Sequence, residues 1–174
     1  MGKPSFTALG WENYEITQPP SSGDGQAPVV TCQKEAFANL GATAIYQTQA
    51  ATTIQLTYGT VGLDQIAAEF GTAADTARAV KTVRGWIDTC NTWGREQYLA
   101  GIQLDNPRTI DVTGGTATWW HMGGTDHQAA PLNSSIALIV VGNRITLVES
   151  NVAGFLTTDG SAALVRRAAQ VLGA

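Results

Sequence analysis

Thr72–Gly94, TAADTARAVKTVRGWIDTCNTWG, is the stretch whose reading decides the fold. Val80, Val83, Ile87 and Cys90, with Trp86 and Trp93 beside them, recur at three- and four-residue steps, while Asp75, Arg78, Lys81, Arg84 and Asp88 fall elsewhere. That spacing predicts an amphipathic helix with one apolar stripe. Thr72, with Asp75 three residues on, opens it as a variant of the capping box. Gly94 closes it, because glycine tolerates the left-handed turn after a helix.

Outward from this helix the pattern changes on both sides. Downstream, Gln97–Leu104, Arg108–Val112, Thr116–Met122, Ser135–Val141 and Arg144–Glu149 alternate as strands. Gly142-Asn143 between the last two is a tight hairpin turn, which places Ile139 against Leu147. Asp159 or Ser161 caps a closing helix to Leu172, with Leu164, Val165, Ala168, Val171 and Leu172 inward. Upstream, Leu63–Phe70 fits both a helical stripe and strand alternation, whereas Ala44–Gln49 and Thr53–Tyr58 alternate as strands. Thr31 caps a short helix from Cys32 to Leu40 that Gly41 stops. Residues 1–28 are an arm followed by a Pro/Gly/Ser loop, Gln18–Pro28, inside a single domain spanning 1–174. Helices early and late with strands between them predict an α+β domain of two layers: a central antiparallel sheet of about five to seven strands with two or three helices on one face.

Composition narrows the function. With 44% apolar and 14% charged residues the chain suits a soluble globular domain, and a net charge of −4 without a basic stripe excludes nucleic acid as a partner. The longest apolar run, Ile136–Val141, is far short of a membrane span. Two cysteines, Cys32 and Cys90, leave two readings open, one disulfide or two separate buried thiols.

The densest functional-looking stretch is Thr118–Gln128, TWWHMGGTDHQ. Trp119 and Trp120 are neighbours on a strand and face opposite sides, which makes one a core residue and leaves the other either a free aromatic wall for a ligand or a residue covered by a helix. His121, Asp126 and His127 are metal-ligating residue types, but no third histidine completes a tetrahedral set, so no metal is expected. Thr125 and Ser134 lack the glycine pattern of a nucleophile elbow. The acid pairs Glu12/Glu15, Asp64/Glu69 and Glu149/Asp159 read as solvated charge, and Gly114-Gly115 and Gly123-Gly124 as turns.

Taken together, Gly10-Trp11, Cys32, Phe70 before Ala73-Ala74, Trp86 and Cys90 late in the long helix, the Gly142-Asn143 hairpin and the Ala-rich final helix resemble the PknH-like extracellular sensor domain family of actinobacteria, which includes kinase sensor domains and lipoproteins. The resemblance implies a Cys32–Cys90 disulfide, a strand at Leu63–Phe70, and a cleft for a ligand. It also implies an exported or cell-envelope domain, cut from its signal; a native start at Met1 would mean the cytoplasm instead. The second disulfide of the kinase domain has no counterpart here. The expectation is therefore a monomeric, non-catalytic module without cofactor, touching the membrane only through a removed N-terminal anchor. Its small or amphipathic ligand meets Trp86, Trp93, Trp119 and Trp120, with His121 and His127 as polar contacts. The alternatives are a small cleft enzyme, such as a biosynthetic cyclase or isomerase acting on a hydrophobic substrate, and a protein-interaction module of the cell envelope.

Overall fold

The computed structural model describes residues 14–22, 29–52, 62–92, 103–125, 131–151 and 158–173. Its frame is one antiparallel sheet built from β1 (Tyr14–Ser22), β2 (Ala42–Thr52), β3 (Gly62–Phe70), β4 (Gln103–Leu104), β5 (Arg108–Val112), β6 (Gly115–Thr125), β7 (Pro131–Val141) and β8 (Arg144–Asn151). Seven strands follow one another in the order β1-β2-β3-β8-β7-β6-β4, and β5 pairs with β6 beside β4. Two helices complete it, α1 (Ala73–Asp88) and α2 (Thr158–Gly173). The α+β class with a central antiparallel sheet is what the sequence pattern led to, and Leu63–Phe70 lies in a strand.

Alternation along each strand sorts its side chains between two cores. Ile66, Phe70, Trp120, Ile136, Leu138 and Leu147 pack with Val83, Trp86 and Ile87 of α1. Their strand neighbours Leu63, Trp119, Ala137, Ile139 and Val148 pack with Leu164, Val165 and Ala168 of α2. The helices therefore lie on opposite faces, giving three layers where two had been expected. The reason is visible in the strands: β7 runs Ser135–Ile139 without an exposed residue, so both of its faces need cover.

The ends of α1 show how local chemistry sets the boundaries. Thr72 accepts a hydrogen bond from the Asp75 N–H at 3.2 Å and donates its hydroxyl to the Asp75 carboxylate at 2.5 Å. Asp75 also pairs with Arg78. α1 is interrupted at Thr89, whose hydroxyl donates to the Gly85 carbonyl at 2.7 Å; helical backbone resumes over 90–92, and Gly94 lies outside the described residues. Cys90 follows Thr89 at once and is joined to Cys32, with the Cα atoms 5.5 Å apart and a sequence separation of 58.

Several other expectations shift. The segment expected as a helix from Cys32 is a 3-10 turn over Phe37–Leu40 only, ended by Gly41 in the left-handed conformation. Thr31 does not cap it but points its N–H and hydroxyl at Glu149. Gln18–Ser22 belongs to β1, with register shifts around Pro19 and Pro20; β1 is an edge strand, where missing N–H groups are tolerated. The β7–β8 hairpin does turn at Gly142-Asn143, with Gly142 at φ 60°, but its register sets Leu138 against Leu147. Val171 is exposed rather than inward. Thr53–Tyr58 and Gln97–Ile102 lie outside the described residues.

Candidate functional site

The α2 face of the sheet is not evenly covered. α2 packs on β5, β6, β7 and β8, so the part of β2 and β3 that carries Tyr46 and Ala67 lies beyond its edge. There a groove of about 310 Å³ opens, floored by Thr48, Gln65 and Ala67 and walled by Val171 and Leu172. Tyr46 rims it, and Glu69 and Arg144 stand at one end. The volume is at the lower end of small-molecule sites, about 300–1,000 Å³. Tyr46 (54% exposed) and Val171 (39%) are the two exposed large hydrophobic residues among those described, and both face this groove.

Every lining position follows from strand geometry. Tyr46 and Thr48 alternate on β2, as do Gln65, Ala67 and Glu69 on β3, so all five project to the α2 side. Glu69 and Arg144 are register partners of β3 and β8, and their side chains meet at 3.4 Å. The hairpin turn fixes them. Asn143 donates its amide to the Phe70 carbonyl at 2.7 Å and accepts the Phe70 N–H through its own carbonyl at 2.9 Å. Arg144 also donates to the Leu172 carbonyl at 2.9 Å, placing a cation at the C-terminal end of α2 where the helix dipole favours it. On the floor, Gln65 donates to Thr146 at 3.2 Å, and the Thr146 hydroxyl donates to the Ile66 carbonyl at 2.8 Å. The groove is thus built from residues held by other residues.

The opposite face holds a second polar feature, which is closed. Glu149, 2% exposed, accepts the Thr31 N–H at 2.6 Å and the Thr31 hydroxyl at 2.8 Å. Its register partner on β3 is Asp64. Burial pushes the Glu149 carboxyl above the usual range; the Thr31 hydrogen bonds oppose this, Asp64 adds to the rise, and Ser134 pulls weakly downward. Asp64 is also raised, by partial burial, against a hydrogen bond from Gln49. The sequence reading had paired Asp64 with Glu69 and Glu149 with Asp159. Strand pairing across 85 residues of chain makes a different pair, and only the β3–β8 register shows it.

Of the residues proposed from sequence, the described ones, Trp86, Trp119, Trp120 and His121, do not line one cleft. Trp86 is buried against Phe37, with ring centroids 5.9 Å apart in an edge-to-face arrangement. Trp120 shares that core, and Trp119 is buried on the other side of the sheet, with the Arg108 guanidinium 5.1 Å over its ring. Trp119 and Trp120 thus face opposite ways as expected, but neither is a free wall: a helix covers each face. His121 lies by Asp105 on β6, its Nδ1 3.7 Å from the carboxylate, on the sheet edge opposite β1 and away from the groove. Trp93 and His127 lie outside the described residues. Among the described residues no cluster of three metal-ligating side chains occurs. The groove residues that the sequence reading missed carry one faint signal, the exposed-face alternation of Tyr46 with Thr48.

No family model and no curated protein matches the sequence. Among solved structures the chain is similar to the extracellular domain of PknH from Mycobacterium tuberculosis, at 14% identity and a TM-score of 0.64, over 97% of this chain and 89% of that one. At such identity the likeness is one of fold.

Proposed function

We propose that the chain is a ligand-binding module of the sensor type, working outside the cell or in its envelope, with no reaction of its own. It takes a small or amphipathic molecule in the groove between β2–β3 and the end of α2. The observation that carries this reading is that both exposed large hydrophobic side chains, Tyr46 and Val171, border one pre-formed concavity. A concave site with apolar borders and a few convergent polar groups is the usual form of a small-ligand site. The shared fold with a kinase extracellular domain supports the sensor role. The Cys32–Cys90 disulfide supports an oxidising compartment. None of the described helices is long and apolar enough to cross a membrane.

The test is to fill the groove. Ala67→Trp places an indole where the floor is small, at the margin of the α2-side core, and thermal denaturation of the unliganded variant verifies its fold. Native mass spectrometry and a thermal-shift screen with small polar and amphipathic compounds are expected to find an occupant or stabiliser for the natural chain and none for the variant. Equal binding by both would place the ligand elsewhere.

A further inference from the structure

The chemistry of the groove selects among ligands, and the inference rests on the groove being the binding site. One acidic and one basic side chain line it, Glu69 and Arg144, and they neutralise each other at 3.4 Å. A charged ligand would have to compete with that pair. A purely apolar ligand would strip water from it without replacing the lost hydrogen bonds. Both side chains are 40% exposed, so each still presents hydrogen-bonding capacity to the groove. A guanidinium has five N–H donors, of which Arg144 directs Nε to Glu69 and one Nη1 to Leu172. The Glu69 carboxylate beside it supplies acceptors. A donor fork next to a carboxylate suits neighbouring hydroxyl groups, each of which donates once and accepts once. Above the small Ala67 side chain, the Tyr46 ring offers a flat apolar face, more than half exposed.

We propose that the groove binds an uncharged sugar, a pyranose ring or short glycan, with its C–H face on Tyr46 and its hydroxyls on Glu69 and Arg144. Flat aromatic surface and paired hydroxyl recognition occur together here, and a polyhydroxylated ring uses both.

The test is an NMR titration of the full chain, its disulfide intact. The probes are methyl glycosides of glucose, galactose, mannose, arabinose and N-acetylglucosamine, their disaccharides, and laurate as a charged amphiphile. At least one glycoside is expected to shift the Tyr46, Ala67 and Val171 resonances saturably. Tyr46→Ala is expected to weaken it about tenfold through loss of the aromatic surface, and Tyr46→Phe to keep it. Tyr46 is a surface residue, and thermal denaturation of each variant verifies the fold. Glycoside shifts that map elsewhere, or that survive Tyr46→Ala, overturn the sugar assignment. If laurate alone binds at these residues, the sugar assignment falls while the groove stands. If neither class perturbs them, both fall.

Discussion

Replacing Glu149 with glutamine isolates the buried acid, and the outcome follows from proton linkage. The ordinary value for a glutamate carboxyl is 4.5, and burial holds Glu149 above it. In the interval between, the folded protein binds a proton that the unfolded chain does not. The stability tied to Glu149 is therefore fully present below about pH 4.5 and is lost as pH rises through the folded value. One proton sets the ceiling of the slope, about 1.4 kcal/mol per pH unit. For a domain of this size that is about 3–5 °C of melting temperature per unit. Glutamine cannot titrate, yet its amide oxygen still accepts the Thr31 N–H that now meets Oε2 at 2.6 Å, and its NH2, in place of Oε1, donates to the Thr31 hydroxyl, which turns from donor at 2.8 Å to acceptor. Thermal denaturation at fixed ionic strength from pH 4.5 to 8 should show the natural chain losing stability above mild acid more steeply than Glu149→Gln. At pH 7 the variant should be at least as stable, since a neutral near-isostere avoids burying a charge. Parallel curves would refute the reasoning, because they would mean that Glu149 is either ionised throughout or not buried in solution. Asp64→Asn should flatten the same interval less, because Asp64 is only partly buried.

Three further outcomes follow from particular contacts. Replacing both Cys32 and Cys90 with serine frees the unfolded chain from a closed loop of nearly 60 residues and should cost up to about 4 kcal/mol by chain entropy, read as a lower midpoint in urea with far-UV circular dichroism unchanged. Gly115→Ala should destabilise by about 3 kcal/mol or more, because a Cβ there would sit 1.9 Å from the Val140 carbonyl oxygen and the β6–β7 ladder must part to admit it; an unchanged melting temperature would show that the strands are not so close. Arg144→Ala removes both the Leu172 carbonyl contact and the Glu69 ion pair, and hydrogen exchange should show faster exchange in the last turn of α2, with a stability loss of about 1–2 kcal/mol.

How much of this was legible depended on whether the signal was local. The cap at Thr72 and Asp75, the turn at Gly142-Asn143 and the stripe of α1 involve residues within four positions of one another, and they hold in the structure. The interruption of α1 at Thr89 was not legible, because it is a threonine hydroxyl turned back on its own helix, and the stop expected at Gly94 lies outside the described residues. The face occupied by α2 was not legible, because the apolar stripe of a helix says that it is buried and not against which side of a sheet. For the same reason the sequence left the second tryptophan open between a free wall and a residue under a helix. Adjacent aromatic residues on a strand must diverge, but whether the second face is open depends on the position of α2, which the sequence of β6 does not encode. The Asp64–Glu149 pair and the Glu69–Arg144 pair are products of the β3–β8 register, and strands so far apart in the chain carry no pairwise signature in a single sequence.

That register also separates a closed face from a partly open one in this molecule. Along β3, Asp64, Ile66, Ala68 and Phe70 point to the face closed by α1 and the disulfide-tied segment at 29–33, while Gln65, Ala67 and Glu69 point to the face that α2 leaves partly open. One strand thus supplies Asp64, the register partner of the buried Glu149, on one side and the groove floor on the other. The sealed side gathers the bulk of the large apolar residues, the disulfide and a carboxyl whose acceptors are used by Thr31. The open side has small or polar residues at the same strand, anchored by Thr146 and by the hairpin turn. A ligand bound there would touch β2, β3, β8 and the end of α2 together. It would therefore stabilise α2 against the sheet through Leu172 and Arg144. The melting temperature and the exchange rates of the last α2 turn should then move together on binding, and a ligand that raised the first without slowing the second would be bound outside the groove.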